Sequence, residues 1–325
     1  MEEKSLLKTS DLTVEYPVSR KRKLHAVSGV NLQIKRHEVL ALVGESGCGK
    51  STLGRAMIQL IKPTSGRVFF EDAELTGMPP QEFANYRRRM QMIFQDPYAS
   101  LDPRMSVRDI VAEPLETYKV CANKAETTER VLELLKAVGL DEQHLYRYAH
   151  QFSGGQRQRI GIARAIALNP DFVVCDEPVS ALDVSVQNQI LNLLKDLQKD
   201  FGLTYLFISH DLSVVRFIAD RVCVMFLGKV CELGDTETIY SRPLHPYTRF
   251  LLEAIPKADP HRRREEPKLL SGELPSPIDP PGGCRFCTRC PHAGPRCSRE
   301  EPQFHEVDGR QVACHLYSEE SVVGN

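Results

Sequence analysis

The sequence predicts an α/β fold, a parallel sheet with helical crossovers and a phosphate-binding turn at the end of one strand. Two observations predict it. Val39-Leu40-Ala41-Leu42-Val43 is a short apolar run that ends in a glycine-rich turn, which suits a strand buried on both faces of a parallel sheet. Phe172-Val173-Val174-Cys175 and Tyr205-Leu206-Phe207-Ile208 are runs of the same kind, and between them Val186, Ile190, Leu193, Leu194 and Leu197 recur at helical spacing. Strand, amphipathic helix, strand is a βαβ crossover.

The remaining elements follow from similar patterns. Val131, Leu134, Leu135 and Val138 mark a helix that Gly139 stops. Residues 221–232 carry Val222, Val224, Phe226 and Val230 around Gly228-Lys229, the pattern of a hairpin. Composition changes near residue 240. Pro243, Pro246, Pro256, Pro260, Pro267, Pro275, Pro277, Pro280 and Pro281 crowd the segment, and 261–268 is densely charged; proline at this density breaks long elements. The expected organisation is a nucleotide-binding domain over 1–240 and a loop-rich extension over 241–325.

Bulk properties exclude several classes. The chain is 26% charged, with a formal net charge of −1, so it has no bulk attraction to nucleic acid. No run approaches the roughly 18 to 20 uncharged apolar residues that span a bilayer. The opening Met-Glu-Glu-Lys-Ser-Leu-Leu-Lys lacks the apolar core of a secretory signal. A cytoplasmic setting is therefore expected, where clustered cysteines are ligands or redox groups rather than staples.

Gly44-Glu45-Ser46-Gly47-Cys48-Gly49-Lys50-Ser51-Thr52 fits G-x-x-x-x-G-K-[ST] and stands between an apolar strand and a helical pattern, the context this motif requires. Its glycines let backbone N–H groups turn toward phosphate oxygens, and the helix N-terminus adds positive potential. Lys50 supplies a charge for the β- and γ-phosphates, and the Ser51 hydroxyl is expected to bind Mg²⁺. A chance glycine turn would explain the glycines but not the lysine and serine at these offsets. Asp176-Glu177 follows the apolar run 172–175, so two carboxylates reach a strand's C-terminal end, where open α/β sheets bind ligands. Asp176 is expected in the Mg²⁺ shell and Glu177 as the group that orients the attacking water.

Phe152-Ser153-Gly154-Gly155-Gln156-Arg157-Gln158-Arg159 resembles the signature motif of ATP-binding cassette (ABC) ATPases, with Phe152 in place of the usual leucine. The resemblance implies a RecA-like core, an antiparallel β subdomain and a helical subdomain at about 97–165. It implies that Ser153, Gly154, Gly155 and Gln156 act on the γ-phosphate of ATP held by a facing subunit. Tyr16 stands where an aromatic ring stacks on adenine. Gln95 matches the glutamine that senses the γ-phosphate and joins Ser51 and Asp176 around Mg²⁺. Ser180-Ala181-Leu182-Asp183 matches the loop that crosses a dimer interface, and His210 the switch histidine. Singly, a tyrosine, a glutamine or a histidine is more often packing or surface; their joint order carries the likeness.

Pro97-Tyr98-Ala99-Ser100-Leu101-Asp102-Pro103-Arg104, Pro178-Val179-Ser180-Ala181-Leu182-Asp183-Val184-Ser185, His245-Pro246-Tyr247-Thr248 and Ser271-Gly272-Glu273-Leu274-Pro275-Ser276-Pro277 resemble the di-/oligopeptide importer ATPases. The likeness implies a heterodimer with a second, similar ATPase, two membrane permease subunits, and an external binding protein reached indirectly. It implies ATP and Mg²⁺ as cofactors, a peripheral place on the cytoplasmic membrane face, and no nucleic-acid partner. Nickel and glutathione importers share these motifs. A soluble ABC ATPase of DNA repair is the rival class, but the chain shows one cassette and no heptad arm.

Cys284, Cys287, Cys290, Cys297 and Cys314 cluster in the tail, with His292 and His315 nearby. Zinc needs four such ligands, and a [4Fe–4S] cluster needs four thiolates. Peptide-importer ATPases carry a C-x₅-C-x₆-C tail with a distal cysteine. By that likeness Cys284, Cys290, Cys297 and Cys314 are the expected ligands, of iron–sulfur ahead of zinc, with Cys287 spare. A metal would pin a proline-rich tail with little apolar content, without a catalytic role. Cys48, Cys121, Cys175, Cys223 and Cys231 are scattered and are expected to be mostly small buried hydrophobes; Cys48 lies inside the phosphate loop, so that alkylation there could block ATP.

Overall fold

A computed structural model describes residues 5–255 and 275–318. The motif residues Ser271, Gly272, Glu273 and Leu274, the charged run 261–268, and Pro256, Pro260 and Pro267 lie outside the described residues. In chain order the first elements are β1 (Ser5–Pro17), β2 (Lys23–Lys35), β3 (Val39–Val43), α1 (Lys50–Met57), β4 (Ser65–Phe70), β5 (Ala73–Glu74), α2 (Pro80–Arg87) and β6 (Met90–Ile93). Next come α3 (Val107–Thr117), α4 (Lys124–Ala137), α5 (Gly154–Ile166), β7 (Phe172–Asp176), α6 (Val184–Phe201), β8 (Thr204–Ile208) and α7 (Leu212–Ile218). The last are β9 (Arg221–Phe226), β10 (Lys229–Asp235), α8 (Thr236–Ser241), α9 (Pro246–Glu253), α10 (Pro295–Arg299), β11 (Phe304–Val307) and β12 (Arg310–Ala313). None of the described helices is long and apolar enough to cross a membrane.

The chain divides into two compact units. One comprises Met1–Leu6, Ile34–Val39 and Phe70–Ile208. Here β6, β7 and β8 run parallel in that order, with Met90 opposite Phe172 and Phe172 opposite Thr204. Every residue of β7 and β8 is buried, which accounts for their unbroken apolar runs. The connection from β7 to β8 is α6, so the expected βαβ unit forms. Its buried stripe is Ile190, Leu191, Leu194 and Leu197; Leu193, expected inside, is half-buried. Asp183 caps α6 by accepting the Val186 N–H at 3.0 Å, which satisfies one orphan donor of the first turn. Between β6 and β7 lie α3, α4 and α5. Ser106 and Asn123 cap the first two, and Val131, Leu134 and Leu135 of α4 are buried, as their spacing predicts.

The other unit comprises Leu7–Gln33, Leu40–Phe69 and Ser209–Asn325. In it β3 runs parallel to β9, and β9 pairs antiparallel with β10. The β9–β10 turn sits one residue earlier than Gly228-Lys229: Leu227 and Gly228 take φ of 41° and 78°, and Lys229 opens β10. Two successive left-handed residues match the right-handed twist of the flanking strands.

The extension is less loop-rich than its prolines suggest. β12 pairs antiparallel with β10, and β11 with β12, so the tail adds two strands to the sheet. The turn between them is Asp308-Gly309, at φ of 49° and 73°, an Asp-Gly signal visible in the sequence. Arg310, 2% exposed, stands 4.0 Å from the fully buried Glu232. Glu232 also accepts the backbone N–H groups of Leu244 and His245, each at 2.9 Å. Phe286, 1% exposed, packs on Phe226 and Tyr247 with ring centroids 5.3 Å away in both cases. Apolar burial and strand pairing therefore anchor the tail.

His245 gives this anchor a pH dependence. It is 2% exposed, and its Nδ1 accepts the Tyr247 N–H at 3.0 Å, capping α9. Burial, with a smaller contribution from Arg249, lowers its pKa to about 4. The folded chain thus resists protonation that the unfolded chain accepts near pH 6.5. Its contribution is complete above pH 6.5 and is lost as pH falls from there toward 4, by roughly 3 kcal/mol at most. His245→Asn retains a cap acceptor and does not titrate. The gap in melting temperature between wild type and this variant is expected to shrink from pH 7.5 to pH 5; a constant gap would show that His245 does not titrate as described.

Candidate nucleotide-binding site

The residues that the sequence singles out fall into three groups. The first is the loop between β3 and α1. Lys50, 4% exposed, donates from Nζ to the carbonyls of Gly44 and Glu45 at 2.8 and 3.0 Å. The lysine is thereby folded back over its own loop, with its charge inside the turn. Gly49 takes φ of 102° at the N-cap of α1, and a Cβ there would lie 2.0 Å from the Ala26 carbonyl oxygen. Only glycine fits that position. Ser51 and Thr52 are half-buried in the first turn of α1, while Ser46 and Gly47 are exposed.

Cys48 packs as expected of most of the scattered cysteines. It is 3% exposed, and burial raises its thiol pKa, an effect that Lys50 only partly offsets. Alkylation needs an accessible thiolate, so Cys48 is a packing residue rather than a reactive one. Cys175, Cys223 and Cys231 are buried as well, whereas Cys121 is half-exposed.

The second group lies in the other unit. Asp176 is fully buried at the end of β7, and Glu177 follows at φ 46°. A bulky residue in left-handed conformation is uncommon and concentrates at functional sites. Its backbone N–H donates to the Ile208 carbonyl at 3.0 Å, so the turn is tied to β8. Glu177 Oε2 accepts from Gln95 Nε2 at 2.9 Å, which brings together two residues predicted from distant stretches of sequence. Ser153 caps α5: its hydroxyl accepts the Gln156 N–H at 3.4 Å and Gln156 Oε1 accepts the Ser153 N–H at 3.1 Å, a reciprocal capping box. Phe152 is buried, as a hydrophobic stand-in for leucine should be. Gly155 packs on α6 so closely that a Cβ would lie 2.4 Å from Val186 Cγ1, and Gly154 stands beside Leu182. Tyr16 and His210 belong to the unit of the phosphate loop, at the end of β1 and just after β8; both are exposed.

The third group is the tail. Cys284, Cys287, Cys290, Cys297 and Cys314 line one cavity of about 230 Å³, with His292 and His315. Burial first, then neighbouring cysteines, pushes Cys284 up to about 12 and Cys314 up to about 11. Among the described residues no group of three or more His, Cys, Asp or Glu side chains stands in metal-holding geometry. The expected four-cysteine set is thus gathered but not converged. Two contacts that sequence reasoning missed lie beside the phosphate loop: the Tyr247 hydroxyl accepts the Glu45 N–H, and Arg289 pairs with the Glu45 carboxylate. No local pattern marks either contact.

A glycine-lined phosphate loop after a buried parallel strand, and acids at the end of another, define the class as a P-loop nucleotide-binding ATPase. Residues 27–180 match the family model for ABC transporters, and 231–297 that for the oligopeptide/dipeptide transporter C-terminal region. The chain is 54% identical over 314 residues to a putative oligopeptide transport ATP-binding protein, YkfD, of Bacillus subtilis, covering 96% of this chain and 95% of that one. It is 50% identical to the oligopeptide transport ATP-binding protein OppF of Escherichia coli, covering 96% of each. The ATP-binding cassette MJ0796, solved as a dimer bound to ADP and Pi, superposes with a TM-score of 0.65 at 33% identity, covering 71% of this chain and 98% of that one. This chain belongs to the ABC transporter family, among the ATP-binding subunits that carry the oligopeptide/dipeptide C-terminal region. It is an ABC ATPase.

Proposed function

We propose that this chain is the ATP-hydrolysing motor of a membrane importer for di- and oligopeptides. The observation that carries the reading is the C-terminal region: the segment that matches peptide transporters, 231–297, begins within β10, which pairs with β9 in the sheet of the phosphate-loop unit. In this reading 44–52 hold the phosphates of ATP, Lys50 neutralises the β- and γ-oxygens, and Ser51, Asp176 and Gln95 hold Mg²⁺. Tyr16 stacks on the adenine. Glu177 orients the attacking water and His210 contacts the γ-phosphate. Ser153 to Gln156 act on ATP held by a facing ATPase, which is a different but similar chain. Closure of the pair around ATP drives two permease subunits from the cytoplasmic face, and hydrolysis resets it. An external binding protein supplies the peptide.

The tail's five thiols are the donor set that a [4Fe–4S] cluster or zinc requires. In the metal-bound chain Cys284, Cys290, Cys297 and Cys314 are its ligands, and the group's contribution is structural. Iron with acid-labile sulfide in anaerobically purified protein supports the cluster, and stoichiometric zinc supports the alternative. Metal-free protein removes both.

The transport reading is tested on the chain purified with its membrane partners and binding protein. Di- or oligopeptides are expected to stimulate ATP hydrolysis. Stimulation by nickel or glutathione alone would keep the mechanism and change the substrate. Hydrolysis stimulated by DNA, with no membrane partner retained, would overturn the reading.

A further inference from the structure

All three polar groups of Glu45, the second residue of the phosphate loop, are held. Its carbonyl accepts from Lys50 Nζ at 3.0 Å. Its backbone N–H donates to the Tyr247 hydroxyl at 2.8 Å. Its two carboxylate oxygens accept from Arg289 Nη1 at 3.0 and 2.9 Å. Two of these three holders come from far down the chain, 202 and 244 residues away.

Neither contact is a loose surface pair. Tyr247 is fully buried, its ring 4.7 Å from that of Phe226 and 5.3 Å from that of Phe286. The Arg289 side chain is 12% exposed, and its guanidinium carbon lies 6.0 Å from the centre of the Phe250 ring. Its Nε is buried with no hydrogen-bond partner among the described residues. A guanidinium this far out of water is committed to the carboxylate that compensates it. The turn that presents it is closed by its own backbone, from Cys287 N–H to the Cys284 carbonyl at 3.1 Å and from Arg289 N–H to the Phe286 carbonyl at 3.0 Å. Phe286, in the same turn, is the plug in the aromatic cluster around Tyr247. The cysteine-rich turn and α9 therefore grip one residue of the phosphate loop together.

We propose that the C-terminal extension is a clamp on the phosphate loop, with Tyr247 and Arg289 as positioning residues that hold Glu45 and keep the loop in the shape that receives ATP. The proposal rests on the reading that this loop binds ATP. A loop already ordered does not lose that freedom when the nucleotide arrives, and preorganisation of this kind appears as affinity. Neither residue acts on the reacting phosphate itself; both act through Glu45. The effect therefore falls on Kd and KM for ATP, with kcat at saturating ATP changed less than about twofold.

The test is equilibrium binding of a fluorescent ATP analogue with Mg²⁺ to the full-length chain. Arg289→Ala and Tyr247→Phe are each expected to raise Kd about five- to tenfold, the upper figure being ~1.4 kcal/mol. Arg289→Lys is expected to recover most of the loss. Glu45→Gln combined with Arg289→Ala is expected to bind no worse than Arg289→Ala alone, because both remove one pair. Tyr247→Phe keeps the buried ring and removes only the hydroxyl, so it carries the test if Arg289→Ala fails to fold. Unchanged affinity in Tyr247→Phe and Glu45→Gln overturns the clamp, provided that Lys50→Ala abolishes binding. If Lys50→Ala also binds normally, it is the reading of the loop as the ATP site that falls.

Discussion

Glu177→Gln is expected to bind ATP as tightly as wild type while its hydrolysis rate falls by about 10²- to 10⁴-fold, the range that a positioned general base supplies. The substitution keeps size and shape. It also keeps an oxygen that can accept from Gln95, which now donates to Glu177 Oε2 at 2.9 Å. The backbone is unaffected, because the left-handed turn at φ 46° is tied to β8 through the Glu177 N–H. What is lost is a negative charge and a proton acceptor where, in the proposed role, the attacking water is activated. Single-turnover hydrolysis measured beside nucleotide binding separates the two effects. Hydrolysis at the wild-type rate in this variant would remove Glu177 from its proposed role.

Gly49→Ala is expected to abolish ATP binding and to destabilise the fold. Two costs add. The residue sits at φ 102°, and forcing an L side chain into so sparsely populated a conformation costs ~1–3 kcal/mol. The new methyl would also lie 2.0 Å from the Ala26 carbonyl oxygen, a backbone atom that cannot step aside without displacing β2. Gly47→Ala is the internal control. Gly47 is left-handed too, at φ 77°, but a Cβ there meets nothing within 4 Å, so it carries the conformational cost alone. The fall in melting temperature is expected to be at least twice as large for Gly49→Ala as for Gly47→Ala. Equal falls would show that the clash with Ala26 is relieved cheaply.

What was legible in the sequence was local. An apolar run of five residues is a buried parallel strand almost irrespective of its surroundings, and β3, β7 and β8 formed where such runs stood. The α6 stripe and the α4 stop followed from helical periodicity and from Gly139. The phosphate loop was legible because each residue in it answers a local need, whether for a left-handed turn, a charge or a hydroxyl. The β11–β12 hairpin carried a readable Asp-Gly turn, but the density of prolines before it masked the signal. Its four-residue strands join the sheet through β12, which pairs with β10 on one side and β11 on the other.

The sequence by itself determined the motif set, the buried strands with their βαβ crossover, and the family likeness, because these depend on residue type and spacing over a few turns of chain. Only the tertiary structure decided that Cys48 is an inert packing residue, that strand pairing anchors the tail, and that Arg289 grips Glu45 across 244 residues. Burial and ion pairing between distant segments arise when the chain closes on itself, and no short-range pattern encodes which carboxylate a buried arginine will meet.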